Sequence, residues 1–101
     1  MVSKTYSVQK LNGNLPEFRR RLSEDGTGFF ERIEELPYVS TTRALEVYRA
    51  GTTTLTVDYE FEEGRTKVSI KIAADTPVGI SHTRGKLVSL LEGIELEEVK
   101  K

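Results

Sequence analysis

The sequence predicts an α+β fold, a two-layer sandwich with a mainly antiparallel sheet of four or five strands and helices on one face. Three observations carry that expectation. Residues 55–61 alternate apolar and polar without a fault, residues 68–72 do the same, and Thr76-Pro77 opens a helical pattern. Alternation of period two means one sheet face is buried and the other wet. A half-buried sheet needs a second layer, and amphipathic helices supply it. The predicted order is β-α-α-β-β-β-α, with an optional last strand.

Residues 4–10 alternate, with Tyr6 and Val8 on one side and Thr5, Ser7 and Gln9 on the other, which reads as a half-buried strand. Asn12-Gly13-Asn14 breaks it, and Asn14 is the cap of a helix that has Pro16 near its start. Leu15, Phe18 and Leu22 recur at the spacing of one helix face, and Arg19, Arg20 and Arg21 fall mostly off it. Asp25-Gly26-Thr27-Gly28 ends this helix. Phe29, Phe30, Ile33 and Leu36 resume a helical pattern that Pro37 stops, so two short helices, or one helix broken at the glycines, are expected.

Residues 43–73 read as a three-strand meander. In its first strand Leu45 and Val47 are placed inside, with Glu46 and Tyr48 on the wet face. Ala50-Gly51-Thr52 forms a short turn. Leu55, Val57, Tyr59 and Phe61 face inward on the second strand, and Val68, Ile70 and Ile72 on the third, joined by a hairpin loop at Glu62-Glu63-Gly64-Arg65. Thr76 is the N-cap and Pro77 the first residue of the last helix, whose inner face is Ile80, Arg84, Leu87, Val88 and Leu91. Gly79 and Gly85 predict loose first turns or a close backbone approach. Gly93 stops the helix. Residues 94–99 form a last strand or a frayed end.

At 101 residues the chain is expected to form one domain, 1–101, with a solvated tail at 100–101. Folding should bury roughly 10,000 Å². Leu, Ile, Val and Phe total 28, above the level at which disorder is the default. The absence of cysteine excludes disulfides, thiol chemistry and Cys-type zinc sites. No apolar run approaches 18 residues and the start lacks a secretory h-region, so a cytoplasmic protein without a membrane partner is expected. One Gln, two Asn and 31% charged residues match the composition that hyperthermophile proteins tend to show.

Catalytic residues are sparse. His82 is the one histidine, with Ser81, Thr83 and Asp75 as local companions, and a lone histidine is a poor catalytic signature. Asp58 and Glu60 share a strand face, where solvation is the simplest role for them. No spacing fits a metal or a cofactor, so neither is expected. Residues 76–86 combine a helix start with Arg84 and Lys86, the ingredients of an anion site, but the P-loop order is missing. Residues 1–21 carry a net charge of +4 centred on Arg19–Arg21, against −1 for the whole chain.

These features lead to a non-enzymatic interaction module that binds another protein or itself through the open sheet face or an exposed edge. The competing expectation is a nucleic-acid or phosphate-ligand binder using Arg19–Arg21, or Arg84 and Lys86. Candidate binding residues are therefore Arg19, Arg20, Arg21, Tyr48, His82, Arg84 and Lys86, with no catalytic or metal-ligating residue.

Overall fold

A computed structural model describes residues 1–9, 15–24, 31–40, 42–91 and 95–99. The elements run β1 (Val2–Gln9), α1 (Leu15–Glu24), β2 (Glu31–Ser40), β3 (Arg43–Ala50), β4 (Thr53–Glu62), β5 (Arg65–Ala74), α2 (Pro77–Leu90) and β6 (Glu95–Glu98). The six strands form one sheet in the order β2-β3-β4-β5-β1-β6, and every pairing is antiparallel. The α+β class is as the sequence predicts, but the order is β-α-β-β-β-β-α-β, with one strand more and one helix fewer. The expected Asn12–Asn14 turn and cap, the Asp25–Gly28 break, Phe29, Phe30, Gly93, Ile94 and the 100–101 tail lie outside the described residues.

The expected second helix is instead strand β2. Ile33, Leu36 and Pro37 sit in a ten-residue extended segment paired with β3. Proline forbids a ladder donor and is confined to edge strands or bulges. β2 is an edge strand, and its register shifts once between Arg32 and Glu34 and again between Leu36 and Ser40, across Pro37. Each shift adds residues on one side of the ladder. That breaks the strict alternation by which a strand is recognised and leaves spacings that mimic a helix.

β4 and β5 keep the predicted inward faces: Leu55, Val57 and Tyr59 are buried, as are Val68, Ile70 and Ile72. Their hairpin closes at Glu62 and Arg65, with Gly64 at φ +81°, a left-handed conformation glycine takes without steric cost. β3 is inverted relative to expectation. Ala44, Glu46 and Tyr48 are buried, while Leu45 and Val47 are half-buried on the other face. The cause is the length of the turn that follows it. Ala50 pairs with Thr53, so the loop is the two residues Gly51-Thr52, and Tyr48 lies opposite Leu55. A three-residue turn would have set Val47 there. A shift of one residue sends every side chain of a strand to the opposite face.

α1 contributes Phe18 and Leu22 to the core, the former edge-on to Tyr59 at 6.3 Å between ring centres. α2 starts as predicted: Thr76 Oγ1 accepts the Gly79 N–H at 3.2 Å, with Pro77 at the first turn. Its buried face is Ile80, Thr83 and Leu87. Arg84 and Val88, expected inside, are exposed, because the inner stripe runs one residue earlier through Thr83. A Cβ on Gly79 would lie 3.0 Å from the Ala74 Cβ, so the close approach suggested by this glycine exists, whereas Gly85 faces open space. Phe18, Leu22, Ile80 and Leu87 join one buried cluster with Tyr6, Ala44, Tyr48, the inner faces of β4 and β5, and Leu96.

Candidate functional site

The register fixes what the other face of the sheet presents. Side chains directly opposite in an antiparallel ladder share a face. Across one row Arg43 pairs with Glu60 and Glu60 with Lys67. The next rows hold Leu45, Asp58, Ser69 and Ser7, then Val47, Thr56, Lys71 and Thr5, then Arg49, Thr54, Ala73 and Ser3. None of these side chains is buried. Most of the middle ones are half-buried, and Arg43, Arg49, Glu60, Lys67 and Lys71 are exposed. The middle rows of this face therefore mix Leu45, Val47 and the short hydroxyl groups of Thr5, Ser7, Thr56 and Ser69 with the charges of Asp58 and Lys71.

Ion pairs hold much of the charge on the sheet in place. Arg43 Nε donates to Asp58 Oδ1 at 3.2 Å, and a second contact joins its Nη2 to Oδ2. The hydrogen bonds to Asp58 hold the Arg43 guanidinium above its ordinary value. Lys67 Nζ lies 3.2 Å from Glu62, and Lys4 lies 3.0 Å from Glu98, whose carboxylate raises the lysine by hydrogen bonding and by charge. At the β1–β6 end, Ser7, Gln9, Glu97, Glu98 and Val99 line an open depression of about 710 Å³. No group of three or more His, Asp or Glu among the described residues is placed to hold a metal ion.

The arginine run of α1 divides. Arg20 and Arg21 both turn onto Glu17, at 2.7 Å and 3.0 Å. Their hydrogen bonds, Arg20's first, pull the Glu17 carboxyl down to about 2. Arg19 goes the other way. Its guanidinium lies 5.3 Å from the centre of the Tyr59 ring, and its Nε is 3.5 Å from Glu46. Arg84 stacks 5.6 Å from the Tyr6 ring centre and reaches the Leu96 carbonyl at 3.4 Å, tying α2 to β1 and β6. His82 and Lys86 are exposed on α2. Tyr48, expected on the wet face, is buried by the inversion of β3. Thr83 is buried while Ser81 and His82 are exposed, so these three do not share one surface. At the start of α2, the Thr76 carbonyl and hydroxyl already accept from Gly79, and the carbonyl also from Ile80.

The buried group around Glu46 is what sequence reasoning missed. Its side chain is 2% exposed, Tyr48 Oη donates to Oε2 at 3.4 Å, and Arg19 comes over it from α1. Tyr59, beside it, has its hydroxyl pushed well above the ordinary value, chiefly by burial and then by the Glu46 carboxylate. Burial of an ionised carboxylate is costly without a partner, and Arg19 is the cation at hand. The cluster is closed to solvent on the sheet side, so it serves as a clamp between α1 and β3. The signal for it was the two-residue Gly51-Thr52 turn, which alone fixes the parity of β3.

No protein-family model, characterised protein or solved structure matches the chain.

Proposed function

We propose that the protein is a non-enzymatic association module whose working surface is the open face of the sheet. In this reading α1 and α2 form one layer on the core face and the sheet forms the other, leaving its second face for a protein partner. The observation that carries the proposal is the placing of Leu45 and Val47 among small half-buried groups on that face, when Ala44, Glu46 and Tyr48 line the core. A partner on this face must also match the charges of Asp58, Glu60, Lys67 and Lys71 on the central strands. The face is favoured over the edges. β2 carries Pro37 and two register shifts, and β6 has only four residues, and both devices blunt edge pairing.

Nucleic-acid or phosphate binding through Arg19–Arg21 or through Arg84 and Lys86 competes with this reading. The hold of Glu17 on Arg20 and Arg21 weighs against it. The test combines light scattering of the purified chain with native sizing of the chain in extract, for the natural protein and for Val47→Lys. The natural chain is expected in an assembly and the variant, with unchanged circular dichroism, as a single chain of 11.4 kDa. An assembly indifferent to Val47→Lys rules out the face. A single chain in every setting, or salt-sensitive capture of a mixed nucleic-acid pool, overturns the association reading.

A further inference from the structure

We infer that the occupant of the open face is a second copy of this chain, stacked face to face about a two-fold axis running along the strands between β4 and β5. The inference rests on the association reading above and adds the identity and register of the partner.

Three observations meet at that axis. The first is position. In the order β2-β3-β4-β5-β1-β6 the boundary between β4 and β5 has three strands on either side. A two-fold there overlays the whole sheet on its copy, which maximises contact. The second is area. Six strands about 4.8 Å apart and some 27 Å long give a face of roughly 700 Å², close to the roughly 800 Å² per partner of a standard stable interface. An interface of that size needs nearly the entire face. A second sheet of the same twist matches it, since aligned sheets pack at about −30°.

The third observation is charge. Glu60 and Lys67 are exposed register partners on the two central strands. The two-fold exchanges β4 and β5, so Glu60 comes opposite the second copy's Lys67, and Lys67 opposite its Glu60. Both contacts are attractive. In the flanking columns Leu45 and Val47 of β3 come opposite Ser7 and Thr5 of β1, which are uncharged. A two-fold centred on β4 would instead stack Asp58 and Glu60 on their own copies, and one centred on β5 would stack Lys67 and Lys71. Of the three placements, only the boundary avoids setting like charges against each other on the central strands. This is how a self-complementary surface is built, with each residue facing its opposite in the copy.

The experiment is a charge exchange. Glu60→Lys and Lys67→Glu are made separately, folding is checked by circular dichroism, and mass is followed by light scattering and sedimentation. The natural chain is expected at about twice 11.4 kDa. Each variant alone meets its copy with two like-charge pairs and should dimerise at least about tenfold more weakly. Mixed one to one, the two variants restore both opposite-charge pairs, and a mixed dimer should form with close to the natural affinity. A natural dimer broken by Val47→Lys but showing no rescue in the mixture overturns the register while leaving the face as the binding surface. A dimer untouched by Val47→Lys overturns both. A purified chain that stays single, yet enters a Val47-dependent assembly in extract, overturns the second copy as occupant and keeps the association reading.

Discussion

Removing the two ends of the Arg19–Glu46 pair should have unequal costs. The arginine side chain is 43% exposed and the glutamate 2%, at 3.5 Å. Two unit charges at that separation attract by about 5 kcal/mol at an effective dielectric of 20. Half-exposure of the arginine screens part of this. Arg19→Met keeps the stem that packs on Tyr59 but takes a cation away from a buried carboxylate, and should cost about 3 kcal/mol, the low end for breaking a buried pair. Glu46→Leu leaves an arginine that can swing into water but takes an acceptor from the Tyr48 hydroxyl, and should cost about 1–2 kcal/mol. The double variant should cost no more than Glu46→Leu alone, because without the carboxylate the loss of the arginine charge is close to neutral. Urea unfolding followed by far-ultraviolet circular dichroism and tyrosine emission gives all four corners of the cycle. For a chain of this length, about 3 kcal/mol corresponds to a fall in Tm of about 12–24 °C. Equal costs for the two single variants, or additive costs in the double, would refute the clamp.

Three further outcomes follow from geometry. Gly85→Ala should stabilise α2 by about 1 kcal/mol, since helix propensity improves and nothing lies within 4 Å, whereas Gly79→Ala should gain nothing because its Cβ would press on Ala74 at 3.0 Å; thermal melts separate the two. Glu17 should titrate near 2 by carboxyl carbon NMR. Its folded value lies below its unfolded one, so its contribution to stability is full above about 4.5 and is lost as pH falls through about 2; titration in the ordinary carboxylate range would mean that Arg20 and Arg21 do not hold it. Arg84→Met should speed amide exchange at the β1–β6 ladder, read by hydrogen exchange at the Val99 amide that donates to the Thr5 carbonyl, with smaller changes in β4; unchanged exchange there would remove the arginine's role as a tie.

The parts of the fold that were legible are those where local pattern and tertiary context agree. β4 and β5 alternate because each has one face in the core and one outside, and a hairpin at Glu62–Arg65 keeps them in register. Thr76-Pro77 marked the start of α2 because a cap and a proline are local chemistry. β2 was misread because its ladder is irregular. Its identity as a strand comes from pairing with β3, which no window of ten residues contains. β3 was recognised as a strand but turned over. Ala44-Leu45-Glu46-Val47-Tyr48 supports either parity, and the hydrophobic pattern alone prefers the wrong one, since it takes a buried glutamate to make the right one. What decides is a turn one residue shorter than it looked. The candidate surface changed with it, losing Tyr48 and gaining Leu45 and Val47.

The position of β1 in the sheet has a consequence for synthesis. β1 is made early, but its neighbours β5 and β6 come from the far end of the chain. About 65 residues separate the end of β1 from the end of β5, and at about 5–20 residues per second a ribosome takes roughly 3–13 s to make them. The β2–β5 meander can zip as it emerges, since each hairpin closes on its predecessor. β1 must wait, with Tyr6 and Val8 uncovered, and then enter between a finished strand and one still to arrive. Its pairing with β5 is a high-contact-order event, the kind that slows folding. Chaperone dependence during translation, and aggregation when release is hurried, should therefore trace to this first strand more than to any later one.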